Sequence, residues 1–285
     1  MAINIIQRFD TTDIKFDKAK SAKYQLIIQF GNDFLNYSVF DPQLKEFLSM
    51  KSFSIQSSEG DDQLVNALKQ MNRQEIFWEL AFTKVSVFSE SAKFTFIPDE
   101  VFHQGKILDY TKLNMQVKQD DSIFMDAIQS QRCKNISLIN GEMVNEFKSI
   151  FTACDFHHLF SPLIDSLAAE NDHNGKKMFA IIRQQAMTLV ILERDQLKFC
   201  NYFTYKTAED FIYFVLAACD QLNLNPETVP FVMLGDIEQR SAIFQLAFKY
   251  IRDVSIGGRP RRFHYSPALD SIPSQYFFDL FSCAS

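Results

Sequence analysis

The sequence predicts an α/β protein made of two copies of one unit, a three-strand meander followed by a helix and a further strand. Three observations predict it. Apolar runs of strand length are joined by turns too short for anything but antiparallel neighbours. The same succession of elements restarts about 150 residues further on. The chain has 285 residues, more than one small core needs at a prior of ~150 residues per domain.

After a polar lead-in, residues 24–30 form an apolar run with strand character. Gly31-Asn32-Asp33 is a tight turn, residues 34–40 give a second strand, Asp41-Pro42 turns again, and residues 44–55 hold a third. The loop at 57–62 ends in Asp61-Asp62, which is helix-capping chemistry, and Leu64, Val65, Leu68 and Met71 then fall on one helical face. Residues 85–88 are β-branched and aromatic and form a short strand, and residues 94–97 form another. Pro98-Asp99-Glu100 opens a helix, with proline and acids in its first turn. From about 110 to 172 lie extra elements: strands at 113–117 and 136–139, a turn at Asn140-Gly141, an amphipathic helix carrying Met143, Phe147, Ile150 and Phe151, and a helix at 162–169. The polar stretch 171–175 marks the boundary. Residues 1–172 form the first half and 173–285 the second.

The pattern then repeats. Strands are expected at 178–182, 187–192 and 197–203, with turns at Gln184-Gln185 and at Glu193-Arg194-Asp195. Thr207, with Glu209 and Asp210 behind it, starts a helix whose apolar face holds Phe211, Val215, Ala218, Cys219 and Leu222. Asn225-Pro226 ends it, residues 231–234 form a buried strand, and residues 237–250 a helix. Residues 274–281 are aromatic and read as a terminal helix docking on the body. Between the halves, Gln43-Leu44-Lys45 matches Gln196-Leu197-Lys198, Leu64-Val65 matches Phe211-Ile212, and Val85-Ser86-Val87-Phe88 matches Val232-Met233-Leu234-Gly235. Identity is low. The agreement of order and spacing carries the inference, against the alternative of two unrelated meanders in one chain.

This doubled unit resembles the actin-like ATPase fold of the ribonuclease H-like superfamily, two halves around a central cleft. It is similar in particular to an uncharacterised bacterial family assigned that fold, which has a counterpart of Ile97-Pro98-Asp99-Glu100-Val101-Phe102. In ATP-binding members the first hairpin turn of each half grips phosphate through an Asp-x-Gly pattern. The resemblance therefore assigns ligand contact to Gly31, Asn32 and Asp33, to Arg183, Gln184 and Gln185, and, at the adenosine loop, to Gly235 and Asp236. The motifs depart from the pattern. Gly31 precedes Asp33 instead of following it, the second turn has neither glycine nor acid, and Gly235 is followed by a charge. Only eight glycines are present, and no G-x-x-x-x-G-K-[ST] or G-x-G-x-x-G run occurs. Conventional ATP hydrolysis is not expected. The cleft itself persists as a place for a ligand.

Composition narrows the rest. A net charge of −6 argues against a general nucleic-acid binder. No stretch approaches the ~20 apolar residues of a membrane span, and the first residues do not read as a secretion signal. The five scattered cysteines read as free thiols in a reducing compartment, so a cytoplasmic location is expected. Thirty phenylalanines read as an aromatic-rich core.

His157-His158, near Cys154 and Asp155, could suggest a metal site, but adjacent residues point apart on a regular element; His103 and His173 have no patterned partners. Asp61-Asp62 and Asp120-Asp121 read as first-turn helix acids. The segment from Gly257 to Tyr265 concentrates Arg259, Arg261 and Arg262 beside aromatics and could meet phosphate, RNA or an acidic partner.

The leading expectation is a non-catalytic actin-like protein that works through an unidentified protein partner, with no cofactor and no membrane. The alternatives are a nucleotide-binding protein or slow ATPase using ATP and magnesium, and an RNA-associated protein using the three arginines.

Overall fold

The computed structural model describes residues 4–56, 63–172 and 174–284. The first sheet contains β1 (Asn4–Thr12), β2 (Gln25–Phe30), β3 (Phe34–Asp41), β4 (Glu46–Gln56) and, beyond helix α1 (Gln63–Met71), β5 (Lys84–Ser89). A three-stranded unit follows, made of β6 (Phe94–Pro98), α2 (Ile107–Asn114), β7 (Asp121–Ile128) and β8 (Cys133–Asn140). Helix α3 (Gly141–Ile150) leads back to β9 (Asp155–His158) at the edge of the first sheet, and α4 (Phe160–Glu170) crosses to the second. The second sheet takes β10 (Lys176–Ile182), β11 (Ala186–Glu193), β12 (Gln196–Thr204), then α5 (Ala208–Gln221), β13 (Phe231–Gly235), α6 (Ala242–Tyr250) and β14 (Val254–Ile256). The chain closes with β15 (His264–Tyr265) and α7 (Phe278–Ser282).

The strand orders show the duplication. The first sheet runs β4-β3-β2-β5-β9 after its edge strand β1, and the second runs β12-β11-β10-β13-β14. In both, the first three strands are antiparallel and the last two join in parallel. Even the β-bulge recurs: opposite Val39 and Phe40 the extra residue is Leu48 in β4, and opposite Ile191 and Leu192 it is Lys198 in β12. That bulge pairs Phe40 with Phe47 and Leu192 with Leu197. Phe47 therefore corresponds to Leu197, and the third-strand match from sequence is off by three residues. The fourth-strand match is off by one, since Phe30 lies opposite Ser89 and Ile182 opposite Gly235. The helix match stands: Leu64, Val65, Leu68 and Met71 are buried at the same spacing as Phe211, Ile212, Val215 and Ala218.

Both faces of each sheet are covered, so the central strands are buried along their length: β10 and β11 are almost continuously apolar, while β2 and β3 also bury Gln29, Asn36 and Ser38. In β2, Leu26, Ile28 and Phe30 join the core under α1 and α3, and Ile27 joins a central core. In β10, Met178, Ala180 and Ile182 face α5 and α6, and Phe179 and Ile181 face that same central core. The two sheets thus share one apolar layer, into which α4 and α7 insert. Phe40, Phe47, Phe147, Phe160, Phe211, Phe231 and Phe281 are among the largest fully buried side chains, which accounts for the phenylalanine content.

Several expectations need correction. The polar lead-in is strand β1, paired antiparallel with β4 at the sheet edge; none of its residues is buried, so its sequence carries no apolar alternation. Residues 113–117 are the end of α2 and the coil after it; Leu113, Met115 and Val117 alternate like a strand, yet Leu113 is exposed. Pro98-Asp99-Glu100 opens only a 3₁₀ turn, Asp99–Val101. Asp121 begins strand β7 and pairs with Lys93 at 3.0 Å, so it is no helix acid. Asn140-Gly141 is a helix start: the Asn140 side chain accepts the N–H groups of Glu142 and Met143 at 2.8 and 3.2 Å. The helix expected at 237–250 begins at Ala242, capped by Ser241. The terminal helix is the shorter α7, and β9, β14 and β15 carried too little pattern to be seen. The capping expectation at Asp61-Asp62 and His173 lie outside the described residues.

His157 and His158 on β9 do point apart. His157 Nδ1 lies 2.7 Å from Asp126 Oδ1, and its ring stacks on Phe88. His158 is fully buried, with Nε2 3.2 Å from the Ser91 carbonyl and Nδ1 accepting the Phe160 N–H, which makes Nε2 the protonated nitrogen. Burial drives its pKa down to about 4. The unfolded chain, with an ordinary histidine value, binds this proton first as pH falls. Stability tied to His158 is thus present above about pH 6.5 and drains away towards pH 4, by about 3 kcal/mol in all. Urea midpoints measured across that range should fall with a slope that His158→Gln flattens. Parallel slopes for the two proteins would contradict the assignment.

Candidate functional site

The two first turns occupy equivalent places. Gly31 N–H bonds Phe34 O and Arg183 N–H bonds Ala186 O, each closing a two-residue hairpin loop. Each loop also receives the strand that ends its meander: Ile55 N–H bonds Asp33 O, and Tyr205 N–H bonds Gln185 O. Beside each turn sits an acid in one shared position. Glu90 N–H bonds Phe30 O and Asp236 N–H bonds Ile182 O, both at 2.8 Å. Glu90 and Asp236 are therefore counterparts after the fourth strand of each half.

Each of these acids is held by an arginine from the other half. Arg183, from the second turn, reaches Glu90 through Nη2 and Nε at 2.8 and 3.2 Å, and also binds Asp279 on α7. Its guanidinium lies over the Phe34 ring at 4.9 Å. Gln29 donates to both carboxylates and completes a buried cluster. Burial pushes the Glu90 carboxyl above its usual range, which the Arg183 charge opposes. Burial likewise works against the Arg183 charge, but Asp279 and Glu90 outweigh it and keep the guanidinium protonated. In the opposite direction Arg8, on β1, forks onto Asp236 at 2.8 and 3.2 Å, nearer the surface.

The cluster divides the cleft. A cavity of about 440 Å³ lies on the side of the second half, where Asn32 and Asp33 meet Arg183 and Gln185 together with Tyr202 and Lys206. Burial raises the Asp33 carboxyl pKa there. A second cavity, of about 330 Å³, lies between Gly31-Asn32, Glu90 and the three-stranded unit, with Lys93 and Lys118 at its wall. Gln184 and Asp236 border a small recess with Arg8 and Arg183. Gly235 is required for a backbone reason: its φ is +83°, and a Cβ would come within 2.3 Å of Ile182 O. It permits the close parallel pairing of β13 with β10. The structure thus brings the eight cleft residues together around two turns, but Arg183 is engaged inside the protein and Gly31 is covered by the Phe34 ring.

Over residues 13–254 the sequence matches the family described as "Protein of unknown function (DUF3822)". The chain belongs to that family. No curated protein matches it. Among solved structures, it is similar to a Bacteroides thetaiotaomicron VPI-5482 protein with actin-like ATPase fold and unknown function, at 22% identity and a TM-score of 0.77, covering 94% of this chain and 99% of that one. It is also similar to a structure of the PilM-PilN type IV pilus biogenesis complex, at 11% identity and a TM-score of 0.54, covering 90% and 96%. The fold is the actin-like ATPase fold, as the doubled unit predicts. Among the described residues no helix is long and apolar enough to cross a membrane.

In this DUF3822 member the basic segment is tied back to the protein by two of its three arginines. Arg259 donates to the carbonyls of Leu269 and Ile272, and Arg262 donates to Ser282 O at 2.9 Å, so both fasten the C-terminal stretch. Arg261 is exposed. Sequence reasoning missed Arg8, Gln29, Glu90 and Asp279. A signal existed for Glu90 alone: with the fourth strands aligned one residue differently, it falls opposite Asp236. The other three meet the cleft only through tertiary packing.

Proposed function

We propose that this protein is a non-catalytic member of the actin-like fold that acts by binding another protein. The observation that carries the reading is the position of Arg183. Its buried guanidinium stands between the two turns and ties the second half to Glu90 in the first and to Asp279 on α7. A nucleotide placed across the turns would have to displace a charge already paired twice, at the cost of leaving two buried carboxylates without it. The three-stranded unit, which is absent from the second half, presents Val101, Leu108 and Leu113, each more than half exposed. Such side chains suit a protein partner. One structure sharing the fold is itself a protein–protein complex.

The test has two arms. ATP with magnesium should give no turnover and no rise in melting temperature. A stabilising shift that Asp33→Ala removes would instead establish the competing reading, a nucleotide in the 440 Å³ cavity. In the second arm, a protein recovered with the native chain should be lost with Leu108→Glu/Leu113→Glu and kept with Arg261→Ala. Recovery unaffected by the leucine pair would overturn the assignment of the surface.

A further inference from the structure

On the face of the second sheet turned away from α5 and α6 lies a third sizeable cavity, of about 350 Å³. The end of α4, the start of β10, strand β13 and the loop after β14 enclose it. Its floor is apolar: Leu167, Phe179, Leu234 and Phe278 are all buried. Its rim carries Lys177, Arg259 and Arg261 with one acid, Glu170, among the lining residues; Lys177 and Arg259 also meet Asp172 and Asp270, at 3.5 and 3.8 Å, on the solvent side.

The rim is built in advance. Arg259 is fixed by its bonds to Leu269 O and Ile272 O and by the Tyr265 ring 5.1 Å from its guanidinium carbon. Its Nε is buried without a hydrogen-bond partner among the described residues. A buried donor left unmatched is uncommon and asks for an acceptor. Glu170, the one acid among the lining residues, accepts the Arg261 backbone N–H at 2.7 Å. The loop can lie on the floor because of Gly257, where a Cβ would come within 2.5 Å of Leu234. At Gly258 a Cβ would meet nothing within 4 Å.

We infer that this cavity binds a small amphipathic anion, an apolar chain ending in a carboxylate. The chain lies on Leu167, Phe179, Leu234 and Phe278, and the carboxylate meets Lys177, Arg259 and Arg261. The volume falls within the range of small-molecule sites, roughly 300–1,000 Å³. An apolar floor suits an aliphatic chain better than a sugar or a nucleotide, and the three cations, whose partners Asp172 and Asp270 are largely exposed to solvent, select the charge of its head.

Calorimetry on the full chain with decanoate below its micellar range tests this, with decanol as the uncharged control. Decanoate should bind one to one, and decanol about tenfold more weakly or worse. Lys177→Met/Arg261→Met should weaken decanoate about tenfold and leave decanol unchanged. Gly258→Phe, placed where there is open space, should abolish binding of both with an unchanged melting temperature. No binding of decanoate, several molecules bound per chain, or equal affinity in the double variant would each overturn the assignment.

Discussion

Replacing Arg183 with methionine is expected to lower the unfolding free energy by about 3–5 kcal/mol at neutral pH, because it leaves Glu90 and Asp279 buried without their cation. For a chain of this size that is a fall of roughly 10 °C in melting temperature. The loss should come from stranded charge and not from lost attraction, and this can be separated. Adding Glu90→Gln and Asp279→Asn to Arg183→Met removes the stranded charge, and stability should return to within about 1–2 kcal/mol of the native protein. The pH dependence has a fixed sign. In Arg183→Met the unpaired Glu90 carboxyl holds its proton more tightly folded than unfolded, so its share of the deficit is full at neutral pH and shrinks as pH falls through the raised folded value. Glu90 already leans that way in the native protein, where burial raises its carboxyl pKa. A triple variant as unstable as the single one, or a deficit independent of pH, would remove Arg183 from its role as the ionic link between the halves.

How much of this was legible in the sequence follows from where the information resides. Strands covered on both faces, such as β2, β3, β10 and β11, are rich in apolar residues and bounded by turn residues, and hydrophobic pattern finds them. Edge elements have no such pattern: β1 buries nothing, and only two residues of β7 are buried. The Thr207–Asp210 capping box was readable because it is local, three residues apart. The turn residues of the cleft were readable for the same reason. What occupies the cleft was not. Arg183 meets Glu90 across 93 residues and Asp279 across 96, separations over which one sequence contains no pairing signal. By its lack of glycine and acid the second turn departs from a phosphate-binding pattern. The structure gives that substitution a positive content, since Arg183 supplies the charge the turns enclose.

The C-terminal stretch offers the second large effect. Phe47 on β4 is fully buried, and four rings surround it: Phe281 at 4.6 Å, Phe40 at 4.8 Å, Phe263 at 5.4 Å and Tyr265 at 5.5 Å between centroids. Three of the four come from residues 263–281, so Phe47 is the point where the end of the chain is seated on the first sheet. Phe47→Ala should cost about 3–5 kcal/mol by urea unfolding, as expected for a large aromatic deleted from a core that cannot collapse around the gap. Phe248→Ala, on an exposed face of α6, should stay within about 0.5 kcal/mol and serves as the control. The loss should also be local before it is global. With its aromatic seat gone, the segment around Phe263 and Tyr265 should become a site of limited proteolysis under conditions where the native chain resists. Comparable costs for the two substitutions, or cleavage elsewhere first, would count against this. Helix α7 carries both Phe281, which packs on Phe47, and Asp279, which binds Arg183. A chain end loosened by Phe47→Ala lets Asp279 leave the cluster, so Arg183→Met then strands one carboxylate instead of two. The double variant Phe47→Ala/Arg183→Met should therefore lose less than the sum of its parts, and strict additivity would show that the aromatic seat and the ionic cluster are independent.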